Sequence, residues 1–151
     1  YNRRLYTLDA QNNQVYKHDN IKTGFSLGKE WLKNNSTDIK NGVNLTVDGD
    51  VFVLGKNGVI NKFTAGIAEP FTITGLDPQL TSADEIWTYN DVNYIYILDT
   101  TGKRIIIINK TGELKIQITA NEFINPTGLV VEEQKGVAYV LDNNKVYLIE
   151  L

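Results

Sequence analysis

One short pattern recurs four times along the 151 residues. Its copies are Leu5-Tyr6-Thr7-Leu8-Asp9, Val51-Phe52-Val53-Leu54-Gly55, Ile95-Tyr96-Ile97-Leu98-Asp99 and Ala138-Tyr139-Val140-Leu141-Asp142. Counted from the last residue of each copy, the intervals are 46 (9 to 55), 44 (55 to 99) and 43 (99 to 142). A repeat of this length is one supersecondary unit that buries its apolar face only against its neighbours. Several strands in a unit of roughly 40–45 residues is the signature of a β-propeller.

Each unit has the same interior. The marker run is followed by a polar turn and a second apolar run: Val15-Tyr16, Val59-Ile60, Ile105–Ile108 and Val146–Ile149. The turns, Gln11-Asn12-Asn13, Lys56-Asn57-Gly58, Thr100–Lys103 and Asn143-Asn144, are rich in residues that tolerate tight backbone bends. In a propeller blade the two middle strands lie between neighbouring blades and are apolar on both faces, which fits Ile95–Leu98 and Ile105–Ile108. The outermost strand should alternate, as Leu114-Lys115-Ile116-Gln117-Ile118 does. The innermost candidates are Val43–Val47, Glu85–Tyr89 and Gly128–Val131. Gly28–Asn34 hints at a turn of helix.

The strand count is uneven. The first copy lacks its inner strand and the last lacks its outer one. The expected architecture is therefore all-β: an incomplete propeller of four-stranded antiparallel blades, two full and two partial. The blades span about 1–36 (partial), 37–80, 81–123 and 124–151 (partial). Propellers close with about four to eight blades, so this arc should leave raw blade faces and open strand edges. The rest of a longer propeller chain is the favoured cover, with self-association as the fallback, since two strand triplets supply six strands where a blade needs four. The chain begins at Tyr1 without methionine, and reads as a processed or excised piece of something longer.

Composition narrows the chemistry. A net charge of −3 gives no electrostatic basis for nucleic-acid binding. No apolar run reaches the roughly 20 residues of a membrane helix, so no membrane insertion is expected of this segment. There are no cysteines, which removes disulfides and thiolate chemistry. The single histidine, His18, reads as a strand residue; no second histidine completes a zinc site. No G-x-S-x-G elbow accompanies Ser26, Ser36 or Ser82. The stretch Gly24–Glu30 is one residue short of a phosphate loop and carries Glu30 where a magnesium-binding hydroxyl belongs. Asp48-Gly49-Asp50 reads as a hairpin turn rather than a calcium loop, because an apolar strand follows it. Asp77, Asp84 and Glu85 form a carboxylate group on paper. Asp9, Asp99 and Asp142 read as strand-end residues bonding their own turns, with Gly55 in the second copy. Asn34, Asn35, Asn44 and Asn109 each begin an Asn-x-Ser/Thr triplet, read here as Asn-rich composition rather than glycosylation. No metal, cofactor or catalytic residue is assigned.

Tyr6, Phe52, Tyr96 and Tyr139 recur at equivalent positions and should pack between blades, and Leu98 and Leu141 should be buried there too. Trp31, Trp87 and Tyr89 break the repeat, and are the candidate ligand-binding residues. Lys103 and Arg104 read as charges guarding the Ile105–Ile108 run against aggregation.

The segments Tyr96-Ile97-Leu98-Asp99, Arg104-Ile105 and Lys110-Thr111-Gly112 resemble the NHL-like propeller families, whose blades read aromatic-aliphatic-Leu-Asp, then Arg-Ile, then a Gly turn. More narrowly, the whole chain is similar to the C-terminal propeller half of candidate-phyla bacterial membrane proteins. In these a PPM phosphatase-like domain and a membrane helix precede the propeller, and their C-termini are similar to Asn144–Leu151. The resemblance favours the extracytoplasmic side of a bacterial membrane and carries none of the phosphatase chemistry. The expected function is a non-catalytic interaction or scaffold module. It would present the connections Lys33–Gly42, Gly75–Asp84 and Thr119–Pro126 to a protein, peptide or glycan. The alternative is a fragment of a propeller hydrolase or lyase whose active site needs the missing blades.

Overall fold

A computed structural model describes residues 1–34 and 37–151; Asn35 and Ser36, which fall in the Asn34 and Asn35 triplets, lie outside the described residues. The first sheet contains β1 (Leu5–Asp9) and β2 (Gln14–His18). A small hairpin, β3 (Asn20–Ile21) and β4 (Gly24–Phe25), intervenes before β5 (Lys29–Glu30) joins β2. The second sheet is β6 (Gly42–Val47), β7 (Val51–Gly55), β8 (Ile60–Thr64) and β9 (Ile67–Glu69). The third is β10 (Glu85–Trp87), β11 (Tyr94–Asp99), β12 (Arg104–Asn109) and β13 (Leu114–Thr119). The fourth is β14 (Pro126–Glu132), a 3-10 turn at Glu133–Lys135, β15 (Val137–Asp142) and β16 (Lys145–Glu150). The strands of each sheet pair antiparallel in chain order, with the hairpin insertion between β2 and β5.

Strand alternation explains how the sheets stack. Residues two apart share a face, and cross-strand register completes a four-residue square on each sheet. Tyr6 and Leu8 oppose Lys17 and Val15. Phe52 and Leu54 oppose Lys62 and Ile60. Tyr96 and Leu98 oppose Ile107 and Ile105. Tyr139 and Leu141 oppose Leu148 and Val146. In the first three sheets these squares lie on the face turned toward the following sheet, the trailing face; the fourth square lies on the corresponding face of the last sheet. The Tyr96 square packs with Leu129, Val131, Ala138 and Val140 of the fourth sheet. Phe52, Leu54 and Ile60 pack with Ile86, Ile95, Ile97, Ile106 and Ile108 of the third. Tyr6, Leu8 and Val15 pack with Val51, Val53 and Phe63 of the second. Three apolar layers thus lie between four sheets, while β6, β10 and β14 approach one another along one edge.

The connection from the second to the third sheet also ties down an outer edge. Thr74 forms a parallel bridge to Glu113, with the Thr74 amide donating to the Gly112 carbonyl and the Leu114 amide to Thr74. Gly112 has φ +98°, and a Cβ there would lie 2.3 Å from the Thr72 carbonyl oxygen. Only glycine allows that approach.

Four sequence expectations change. Gly28–Asn34 holds no helix: Lys29 and Glu30 pair with Lys17 and Tyr16, and the Trp31 amide donates to Val15. The alternation of β13 is broken by a bulge at Ile107/Ile108, which pairs Leu114 with Ile108 and sends it to the opposite face from Ile118; Ile116, opposite Ile107, is exposed. Tyr139 is only half-buried and Leu141 is exposed, because their square faces no further sheet. Arg104 is buried rather than a solvent-side guard.

Candidate functional site

An antiparallel meander sorts its loops by end. The turns between second and third strands share one end of the sheets with the connections that run from sheet to sheet; the other turns share the opposite end. At the first end the marker aspartates set the backbone. Asp9 accepts from the Asn12 amide and side chain, which holds its carboxyl below the usual range. Asp99 accepts from the Gly102 amide at 2.7 Å. Asp142 accepts from the amides of Ile124 and Asn125, anchoring the incoming connection, as well as from the Asn143 side chain of its own turn. In the second sheet, where Gly55 stands in the marker position, Asn57 supplies the acceptor for the Val59 amide.

Around Asp99 this end deepens into a groove of about 590 Å³ over the third sheet. Asp99 and Arg104, both about 95% buried as side chains, pair at 2.7 Å through Nε–H and Oδ2. Arg104 also donates to Oε1 of Gln117 and to the Gln79 carbonyl, while Gln117 donates to the Asp77 carbonyl at 2.9 Å. One guanidinium therefore ties the β11–β12 turn, the outer strand and the connection 70–84 into one wall. Sequence reasoning missed this wall. Its one legible signal was an Asp and an Arg flanking the same turn, Asp99 and Arg104.

The opposite end carries a different network. Lys110 donates to Asp48, to the Thr88 hydroxyl at 2.6 Å and to the Tyr89 carbonyl. Asp50 pairs with Lys62 at 2.9 Å and accepts from Thr64. The carboxylates of the Asp48-Gly49-Asp50 turn are thus held by lysines. Glu133 spans the third and fourth sheets, accepting from the Asn93 and Tyr94 amides, the Asn93 side chain and the Tyr96 hydroxyl at 2.8 Å. Burial, reinforced by that bond, raises the Tyr96 phenol pKa. At the connection end of the same junction, half-buried Glu85 accepts from the Leu129 amide at 2.7 Å; burial raises its carboxyl and that bond offsets part of the rise.

The three candidate aromatics do not meet. Trp31 packs edge-on against Tyr6 with ring centroids 5.8 Å apart. Trp87 packs against Tyr96 at 5.8 Å, within the layer between third and fourth sheets. Tyr89 is exposed at the Lys110 end and meets Tyr1 at 6.1 Å. His18 bonds Thr7 at 3.1 Å and the Ser26 carbonyl at 3.0 Å on the first sheet. Asp77 and Asp84 are exposed on the connection, while Glu85 turns to Leu129. Among the described residues no three His, Cys, Asp or Glu side chains form a metal-holding group. Asn109 ties its own turn, accepting from Thr111 and the Glu113 amide.

No protein-family model matches the sequence, and no curated protein matches it. A chain in the crystal structure of a nidogen/laminin complex does match in structure, with TM-score 0.68 and 18% sequence identity. The superposition covers 97% of this chain and 57% of that one, so the chain spans little more than half of its structural neighbour. The fold is a β-propeller. The propeller here is incomplete, with two full blades between two three-stranded ones.

Proposed function

We propose that this propeller arc is a non-catalytic interaction module that presents its connection-loop end to a protein, peptide or glycan. The observation that carries the reading is the groove beside Asp99. It is open, and its walls are fixed by buried side chains rather than by solvent-exposed loops alone. Rigid scaffolds that hold loops in place are the usual setting for recognition. The neighbour's occurrence in a complex of nidogen with laminin is consistent with a propeller serving protein–protein binding. As finer proposals, the arc is NHL-like, belongs to a longer membrane-anchored chain carrying a PPM phosphatase-like domain, and works on the extracytoplasmic side. Its uncovered surfaces are completed by further propeller or by association.

The test is a binding screen against peptide and glycan arrays, run with the wild type and with Thr101→Arg, which places a long side chain in the groove. The reading expects a defined ligand class whose signal falls in the variant. Metal-dependent turnover of ester, lactone or glycan substrates, lost on substituting carboxylates of the innermost strands such as Glu85, would replace it with the hydrolase or lyase reading.

A further inference from the structure

The groove over the third sheet holds more donors and acceptors than its own walls use. Its floor is the Asp99–Arg104 pair. A guanidinium carries one hydrogen on Nε and a pair on each Nη. The Nε–H meets Asp99, one Nη1–H meets Gln117 and one Nη2–H meets the Gln79 carbonyl. The second hydrogen on each Nη has no partner among the described residues, although only 5% of the side chain is exposed. Buried donors on a charged group are costly to leave unmatched, so these call for an oxygen from outside the chain. A Cβ on Gly102 would lie 2.3 Å from Asp99 Oδ2 and 3.0 Å from Arg104 Nε. Glycine there lets the turn pass close over the pair without a side chain blocking it. Higher on the walls, the hydroxyls of Thr81, Thr101 and Thr119 and the exposed carboxylate of Asp77 bond nothing among the described residues.

Charge and shape select the occupant. Asp99 offsets Arg104, and Asp77 leaves the lining with an excess negative charge. Lys103, on the same turn, is exposed and does not line the groove. An entering carboxylate or phosphate would be repelled by Asp77, whereas a lysine or arginine would pair with it. No aromatic side chain lines the groove, so no flat face is offered to a sugar ring. One wall is β13, the outermost strand of its sheet. At its start a passing segment already lies alongside in parallel, with Thr74 bonded through its backbone to Gly112 and Leu114. The connection then crosses to Gln117 and Arg104, which donate to its Asp77 and Gln79 carbonyls. Beyond Leu114, β13 has no strand partner on its outer side among the described residues.

We infer that the groove takes an extended peptide segment bearing a lysine or arginine. A main-chain carbonyl of the peptide accepts from the free Nη hydrogens of Arg104, the threonine hydroxyls meet its amides, and its cationic side chain pairs with Asp77. Main-chain bonding beside an open strand, with a pocket for one side chain, is an established way for a sheet protein to hold a peptide. This inference rests on the groove's being the recognition site.

Short random peptides and a glycan array, probed with the full 151-residue chain, test it. The strongest peptide hits are then titrated in solution as fluorescein conjugates. The expected hits carry lysine or arginine without an excess of acidic residues, and they lose binding in Thr101→Arg. Asp77→Asn should weaken them about fivefold, the scale of an exposed ion pair. Replacing the peptide's lysine or arginine by glutamine should weaken wild-type binding by the same factor and Asp77→Asn binding not at all. Both variants change exposed side chains, and circular dichroism checks their fold. Acidic peptides or glycans whose binding is lost in Thr101→Arg overturn the inference and leave the groove as the recognition site. Equal weakening of both proteins by the glutamine peptide overturns the pairing with Asp77. Binding that Thr101→Arg leaves untouched, or no binding by any probe, overturns the inference together with the reading of the groove.

Discussion

Leu98 and Leu141 occupy the same register position in consecutive sheets, yet the first is sealed and the second is 42% exposed. Nothing local distinguishes them: each immediately precedes the aspartate that ends the second strand of a blade. The difference is made by what stacks on each, and several expectations follow from it.

Leu98→Ala should destabilise the protein by about 2–5 kcal/mol, the range for truncating a sealed leucine. Leu141→Ala should cost well under half of that in the monomer, since much of its side chain already meets water. Urea denaturation of the two variants checks this, and similar costs would contradict the repeat register.

The amides of Ile105–Ile108 should be among the slowest to exchange with deuterium. They belong to a strand paired on both sides and sandwiched between apolar layers. Amides on the free side of β16 should exchange faster, because that strand has no outer neighbour. Rapid exchange at Ile105–Ile108 would contradict the assignment of β12 as an interior strand.

Asp99→Ala should cost about 3–5 kcal/mol, because it strands the buried Arg104 guanidinium without its carboxylate. Asp99→Leu combined with Arg104→Met should recover part of the loss, as paired apolar replacements do. Thermal melts of the single and double variants read the difference. A neutral Asp99→Ala would mean that the pair does not support the groove wall.

The carboxyl of Glu85 is held above its ordinary value of 4.5, chiefly by burial. A raised carboxyl binds its proton more tightly folded than unfolded, so its contribution to stability falls as pH rises from 4.5 through the raised value. Glu85→Gln keeps an acceptor for the Leu129 amide and removes the ionisation. Its stability relative to wild type should therefore improve across that window and level off above it. Parallel stability–pH curves would contradict the account.

The repeat was legible because each blade's second strand must be apolar on both faces, leaving runs such as Ile95–Leu98 that polar turns punctuate. The uneven strand count was legible for the same reason. The exposure of Leu141 was not, since a strand's sequence records the face it offers and not whether that face is covered. The short outer strand Lys29–Glu30 was missed because two residues carry no period. The bulge at Ile107/Ile108 was missed because the alternation of Leu114–Ile118 is intact in sequence and fails only in pairing. At the site, Arg104 looked like a charge beside an aggregation-prone run. Its burial depends on Gln79 and Gln117, 25 and 13 residues away, which no local pattern connects.

The absence of cysteine allows the central claim to be tested position by position. Leu54→Cys, Leu98→Cys and Leu141→Cys place single thiols at three equivalent positions of successive blades. Thiol labelling at nanomolar protein reads their accessibility. An arc of stacked blades whose fourth sheet is uncovered predicts that the thiols at 54 and 98 react only as fast as the protein opens, while that at 141 reacts far faster than either. Comparable rates at all three positions would contradict it.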